Sequence, residues 1–444
     1  MHHFKTRFTT LILIGFLSAG AVADTISVCH SGCDQNDLQQ AIDIAADGDV
    51  IVLEDQTTAV SNIIIPGKIL TIEASFGQTA ILDAEGGGRI ISIAPDSEVF
   101  FRRIEFRNGR ATNDHGGAVL ARSCDTRFED CRFVDCHANE GGGIFMSGGN
   151  CRIEGCTFTS NRANSGSYQY GGAVRILSGE LAIHRSFFKG NSSSYHGGAI
   201  SNGWGDGHGS GGKITASNCI FESNHATYGG AFHSYSTAGR TIHFQNSTFL
   251  GNSGSGSAAV VYYQHVSFEN CIINGGGLLL RWIYAGGYRG ASCILSSGSL
   301  DGPGNIVGDP MLDGYTPMPG SPCLDGGTGL LSPSTDEMFL DGGCRLIDTD
   351  FFGNPRYQKH SSTFGHTCSE TARHIDIGAV EAGGSIIATP SHRDLDGLPG
   401  VRAADLGIFL GQWGESSCVA DFNVDGIVDA HDLGRLLDAW GSCQ

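Results

Sequence analysis

Cys156-Thr157-Phe158-Thr159-Ser160-Asn161, followed by Gly171-Gly172-Ala173-Val174-Arg175-Ile176, is the stretch that decides the fold. Its Phe-x-x-Asn half recurs at Phe188 to Asn191, Phe221 to Asn224 and Phe249 to Asn252. Phe133 to Cys136 is an earlier copy with cysteine in place of asparagine, and Phe106 with Asn108 is an earlier relative. The Gly-Gly half recurs at Gly116, Gly141, Gly171, Gly197 and Gly229, at spacings of 25, 30, 26 and 32 residues. Two residues before the phenylalanine position stand Cys131, Cys156, Cys219 and Cys271, or Ser186 and Ser247. Self-similarity at such a period is the signature of a stacked repeat.

The units are too short and too rich in glycine, serine and asparagine for amphipathic helices. β-rich runs such as Ala118-Val119-Leu120 and Ile242-His243-Phe244 read as strands between turns. One unit suits one coil of three short strands, each coil stacking on the last at about 4.8 Å. The phenylalanines then form an apolar column inside the coil. The asparagines satisfy turn backbone groups at a bend. The paired glycines supply positive φ at the turn into the next strand. Leu38, Ala41, Ile42 and Ala45 share one face of a short helix that caps the first coil, and Val50 to Leu53 follows as a strand. Further strands are expected over Ile69 to Ile72, Ala80 to Leu82, Arg89 to Ile93 and Val99 to Phe106.

The composition agrees. The chain has 444 residues, 67 of them glycine, without the G-X-Y period of collagen. The net charge of −19 comes with no basic cluster, which argues against nucleic acid as a partner. Lys5 and Arg7, the apolar run from Leu11 to Leu17 and Ala21-Val22-Ala23 form a signal peptide, residues 1–23, with cleavage between Ala23 and Asp24. That run is too short to span a bilayer, and no later one is long enough, so the chain is expected to be secreted or displayed at the cell surface without a transmembrane segment. In an exported chain, several of the 15 cysteines are expected to pair. Cys29 with Cys33 and Cys418 with Cys443 are the candidate disulfides, and a buried cysteine stack inside the coil accommodates others.

The Gly-Gly-Ala and Phe-x-x-Asn pair resembles the repeat of chlamydial-type polymorphic outer-membrane proteins, and more broadly the pectate-lyase-like superfamily of right-handed parallel β-helices. Cys29 to Cys33, the amphipathic helix and Asp47-Gly48-Asp49-Val50-Ile51-Val52 resemble the N-terminal cap of that superfamily. The fold class this implies is a mainly β solenoid over residues 24–300. Residues 301–385 change texture. Asn305 to Pro310, Gly320 to Gly327, Phe352 to Arg356 and Asp376 to Glu381 resemble a choice-of-anchor-Q segment, expected to pack on the last coil as a C-terminal cap.

Residues 386–392, with Thr389, Pro390 and Ser391, form a linker to a module over 393–444. There Asp421, Asn423, Asp425 and Asp432 occupy positions 1, 3, 5 and 12 of an EF-hand-type loop, with Gly426 at the sharp turn. Oxygen ligands in that spacing point to Ca²⁺. A degenerate copy begins 27 residues earlier with Asp394, Asp396 and Asp405, but Leu398 and Pro399 replace the fifth ligand and the glycine. Each loop precedes a helical stretch, Leu406 to Trp413 and Leu433 to Trp440. The duplication resembles a type I dockerin, which implies a cohesin-like or other surface partner.

For chemistry, the Asn-Thr-Asp, Asp-Asp and Arg-Ile-Lys marks of a polygalacturonase are absent, as is the Trp-Ile-Asp-His of a pectate lyase. Asp206 with His208 is a weak catalytic pair. Tyr168, Tyr170, Tyr195, His196 and Tyr228 fall in loops between the asparagine and the next Gly-Gly pair, and Trp204 falls with Asp206 and His208 in an insertion after one Gly-Gly-Ala strand; the tyrosines and Trp204 are the candidate sugar-contacting residues. Such a row either stacks against sugar rings or packs on itself as a turn column. Two functions follow: a binding or structural role, with possible polysaccharide contact, or a polysaccharide lyase or glycoside hydrolase carried by its tail. The missing signatures favour the first.

Overall fold

In a computed structural model, the described residues are 23–164, 169–203, 211–235, 240–255, 258–262, 265–275, 277–281, 288–291, 293–296, 305–324 and 350–352, with a few isolated positions beyond. They wind into a parallel solenoid with four faces. One coil runs through Ile144–Ser147, Asn150–Glu154, Thr157–Thr159 and Arg162–Ala163 before the chain re-enters the first face at Val174–Ile176. The faces carry nine, eleven, eleven and six strands. The expectation of three strands per coil is thus corrected to four in the six coils that carry the fourth face. There the loop between asparagine and Gly-Gly pairs with its neighbours as a strand of two to six mostly polar residues, without the apolar alternation that marks the other faces.

Each corner is set by a backbone requirement. Between the second and third faces, one residue per coil sits in the left-handed region: Arg103, Asp130, Gly155, Arg185, Asn218, Asn246 and Asn270. Arg103, with φ of 56°, splits the expected single strand Val99 to Phe106 into Glu98–Arg102 and Ile104–Arg107. At the corner leading into the first face, both glycines of the pair are needed. Gly171 has φ of 68°. A Cβ on Gly172 would lie 2.1 Å from the Gly198 carbonyl oxygen of the next coil.

The interior is a set of columns. Phe106, Phe133, Phe158, Phe188, Phe221 and Phe249 stack face to face with centroids 4.9, 4.5, 4.7, 5.0 and 4.8 Å apart. Rings from the second face meet this column edge-on, as Phe128 meets Phe133 at 5.3 Å. Beside it runs an asparagine ladder. The Asn161 amide N–H donates to Asn191 Oδ1 at 3.0 Å, and Asn161 Nδ2 donates to Phe133 O at 2.9 Å. Asn191 and Asn224 repeat the arrangement, and Asn252 Nδ2 donates to Phe221 O at 2.8 Å. Cys136 takes the asparagine place, its Sγ reaching Phe106 O at 3.6 Å.

The cysteine stack lies at the corner between the second and third faces. Cys156 Sγ donates to Phe128 O at 3.4 Å and Cys219 Sγ to Ile183 O at 3.8 Å. Ser186 fills the same place, its Oγ donating to His184 O and accepting from Cys156 N. Cys29 and Cys33 are joined, with Cα atoms 5.6 Å apart. Cys124, Cys131, Cys136, Cys151, Cys156, Cys219 and Cys271 are buried thiols. Burial pushes the Cys136, Cys151 and Cys219 thiols up to about 12, which removes the thiolate that disulfide exchange requires.

The first coil is closed by the helix Leu38–Ile44, with Leu38, Ala41 and Ile42 fully buried. Asp37 caps its N-terminus, and Lys68 Nζ donates to the carbonyls of Ile42, Asp43 and Ala45 at its C-terminus. At the other end, Ile306–Val307 adds the last strand to the third face. The chain then turns back along that face. Tyr315 Oη donates to Glu222 Oε2 at 2.6 Å, the Phe351 ring sits 6.2 Å from that of Phe187, and Ala379 N donates to Thr248 Oγ1 at 3.0 Å. The described part of residues 301–385 therefore extends the last coil at Ile306–Val307, packs Leu312 and Cys323 against Ile272 and Ile294, and also reaches back along the flank of the third face to Phe187. The apolar outer residues Phe187, Ile220 and Ile272 explain the course, since they need cover.

Two substitutions separate fit from chemistry in this stack. Cys219→Ser is expected to change unfolding free energy by less than about 1 kcal/mol, because serine already serves the adjacent rungs. Gly172→Ala is expected to cost several kcal/mol, on the order of the largest core effects, because backbone meets backbone. Denaturant melts of the two variants check both.

Candidate functional site

Two outer surfaces gather polar and aromatic side chains. The first is a ledge built by the fourth-face strands and the loops that follow them. His115, Glu140, Tyr170, His196 and Tyr228 lie in one parallel row of backbone bridges. The ledge packs against the outward residues of the first face, in register Leu120, Phe145, Arg175, Ser201 and His233. Burial is therefore nearly complete on both sides of these strands: Phe145, Arg175, Ser201 and His233 are at most 3 % exposed.

Arg175 is the centre of the ledge. Its Nε donates to Glu140 Oε2 at 2.8 Å, its Nη1 to Ser201 Oγ at 3.3 Å and to the Gly203 carbonyl, and its guanidinium lies 4.8 Å from the Tyr170 ring centroid. The His196 and His233 rings stack at 3.9 Å. Burial, with Arg175 nearby, drives His196 down to about 3 and His233 well below its ordinary value, so both rings are neutral at pH 7.

Of the residues singled out as sugar-contacting, Tyr170, Tyr195 and Tyr228 do come together on this ledge. Their exposures differ. Tyr170 is 2 % exposed and spent on Arg175, Tyr195 is 42 % exposed and stacks on His196 at 4.1 Å, and Tyr228 is half-buried, edge-on to Tyr195 at 5.7 Å. The buried part of the row is a packing column, which leaves Tyr195 as its open ring. Tyr168, Trp204, Asp206 and His208 lie outside the described residues, as do Asp394, Asp396, Asp405, Asp421, Asn423, Asp425, Asp432, Cys418 and Cys443. Asp24 is tied to the first coil, its backbone N–H donating to Asp49 Oδ1 at 2.9 Å.

The second surface is a groove of about 560 Å³ on the outer side of the second face. Strands from consecutive coils line it: Ile69–Ala74, Glu98–Arg102, Asp125–Glu129, Asn150–Glu154 and Glu180–His184. Thr71, Phe100, Arg127 and Arg152 follow one another along its floor, one per coil. Ile69, Glu98, Asp125, Asn150 and Glu180 form one rim. The Arg127 and Arg102 guanidiniums lie 4.8 and 4.6 Å from the Phe100 ring centroid. A carboxylate ladder holds the arginines. Glu129 meets Arg127 at 3.3 Å and Arg102 at 3.6 Å, and Glu154 meets Arg127 at 3.6 Å, Arg152 at 3.8 Å and Arg185 at 3.5 Å. No group of three or more metal-binding side chains occurs among the described residues.

Sequence reasoning did not find this groove. Its residues differ in type from coil to coil and align only once strand register is known. The signal present was the alternation in Glu98-Val99-Phe100-Phe101-Arg102 and Asp125-Thr126-Arg127-Phe128-Glu129, with apolar residues in and charges out.

A family model described as a right handed beta helix region matches residues 89–273, which contain most of the groove and the ledge. The coil is a right-handed parallel β-helix. A crystal structure of pectate lyase Pel9A is similar over 82 % of this chain and 98 % of that one, at 12 % identity and a TM-score of 0.36. At that score it carries no argument about the chemistry of this β-helix. No curated protein matches the sequence. No helix among the described residues is long and apolar enough to cross a membrane.

The ledge sets a pH dependence. A histidine held below its unfolded value of 6.5 contributes stability above that pH and loses it as pH falls towards the folded value. For His196 alone the loss between pH 7 and pH 5 is on the order of 2 kcal/mol. Thermal melts over that range are expected to fall with pH, and His196→Gln is expected to flatten part of the slope.

Proposed function

We propose that this chain is an exported binding protein that holds an extended polysaccharide along the groove of the second face, and that its C-terminal module docks it to a surface partner through Ca²⁺. The observation that carries the reading is the groove itself. It crosses consecutive coils at a rise of about 4.8 Å per step, close to the repeat of an extended sugar chain, so successive sugars meet successive rungs. Ile69, beside the Phe100 ring and the guanidiniums stacked on it, offers apolar surface to the C–H face of a sugar ring. Glu98, Asp125, Asn150 and the guanidinium edges offer acceptors and donors to hydroxyls.

The export signal ending at Ala23, the dockerin-like duplication and the β-helix make a consistent whole, an extended scaffold anchored at one end. Asp421, Asn423, Asp425 and Asp432 supply the oxygen donors that a hard cation requires. Bound there, Ca²⁺ would fix the loop and orient the stretch Leu433 to Trp440 for a cohesin-like or other surface partner.

The second reading, a lyase or hydrolase, is favoured by one feature: carboxylates and guanidiniums share the open groove. Release of reducing ends, or of an ultraviolet-absorbing unsaturated product, from any polysaccharide would establish it.

Affinity electrophoresis through polysaccharide-containing gels tests the binding reading. Retardation is expected, with Phe100→Ala weakening affinity at least tenfold, and absence of retardation in every polysaccharide contradicts it. For the tail, titration calorimetry on the full chain is expected to show Ca²⁺ binding that Asp421→Ala with Asp425→Ala abolishes. Unchanged binding in that double variant refutes the assignment of the loop.

A further inference from the structure

We infer that the groove of the second face selects a neutral, hydroxyl-rich glycan and rejects polyuronates. The inference rests on the polysaccharide-binding reading above and names its ligand class. It follows from how the charges are already committed.

The side chains lining the groove include three acids, Glu98, Asp125 and Glu180, against two arginines, Arg127 and Arg152. Both guanidiniums are held by acids two residues along the same strands. Arg127 bridges Glu129 and Glu154, and Arg152 meets Glu154. Arg127 also lies over Phe100. A uronate carboxylate could gain such a guanidinium only by displacing a carboxylate that already has it, so the exchange yields little net attraction. The rim opposes it further. Glu98 and Asp125 are exposed and stand on adjacent coils, Glu180 follows two coils on, and among the described residues Lys213, 3.8 Å from Glu180, is the cation paired with this rim. A polyanion laid along the groove would carry a negative charge past each of these acids in turn, on a chain whose net charge is already −19.

Neutral sugars meet the opposite situation. Carboxylate and amide oxygens at Glu98, Asp125 and Asn150 accept from hydroxyls. Ile69, 46 % exposed, provides apolar contact for a desolvated sugar face, beside the Phe100 ring that the Arg102 and Arg127 guanidiniums cover in part.

The test uses the full chain in affinity electrophoresis with a neutral β-linked glucan, xylan and glucomannan on one side and polygalacturonate and alginate on the other. Runs with Ca²⁺ and with chelator remove any contribution of a bridging cation. At least one neutral glycan is expected to retard the chain, Phe100→Ala to weaken that retardation at least tenfold, and the polyuronates to leave mobility unchanged. Glu98→Lys, an exposed change that leaves the core untouched, is expected to create measurable polygalacturonate binding. Glu129→Gln with Glu154→Gln, which frees the arginines, is expected to do so more strongly, and a thermal melt of each variant confirms folding. Tighter binding of polygalacturonate than of every neutral glycan by the unaltered chain would overturn the ligand class while leaving the binding reading intact. Neutral-glycan binding indifferent to Phe100→Ala would overturn the groove as its seat. Failure to bind any polysaccharide would remove the binding reading and the inference with it.

Discussion

Everything in this molecule depends on one constraint: each coil must lie on the last with its backbone in register. A parallel ladder repeats at a fixed rise, so any side chain stands directly over its counterpart one coil earlier. Identical residues are then an advantage only if they can bond or stack with themselves. Phenylalanine does so through its ring faces. Asparagine does so because it carries a donor and an acceptor on one short stem, and each amide serves the backbone of the coil before and the side chain of the coil after. The same requirement explains why cysteine and serine interchange at the neighbouring corner, where a short donor reaching a carbonyl is enough.

Charge cannot follow that rule, since like charges one rung apart repel. The second face resolves this by alternating rows. Arg127 and Arg152 are direct register partners, yet Glu129 and Glu154 sit two residues along the same strands and thread between them. The ledge handles a lone charge differently. Arg175 is fully buried, and Glu140, Ser201, the Gly203 carbonyl and the Tyr170 ring meet it from three different segments of chain. Those contacts tie the loops to the first face, which makes Arg175 the pin of the outer layer.

The legible part of the sequence was the part governed by self-stacking. Phe158, Asn161 and Gly171 announce the coil because each recurs as itself, and the amphipathic residues Leu38, Ala41 and Ile42 announce the cap. The fourth strand was not legible, because Arg162–Ala163 and Ser192–Ser193 are two residues long and have no period to detect. The row of loop aromatics was legible as an alignment but not as an exposure. Tyr170 and Tyr195 look alike in sequence, and only the position of Arg175 decides that one is covered and the other open. The groove was hidden for a related reason: Thr71, Phe100, Arg127 and Arg152 share a place but no chemistry. The contacts of Tyr315, Phe351 and Ala379 with the third face were hidden because they depend on which outer residues are apolar, and Phe187 and Ile220 read as ordinary strand residues until the inner column is known.

Distances between spin labels along one row test the central claim most directly. Thr241, Asn150, Glu98 and Ile69 are exposed and occupy the same row of the second face, Asn150 three coils from Thr241, Glu98 five and Ile69 six. Backbone separations from Thr241 of about 14, 24 and 29 Å are expected, rising in proportion to the number of coils crossed. Separations that fail to grow with coil number, or that shrink between the second and third pairs, would contradict the stack and every surface built on it.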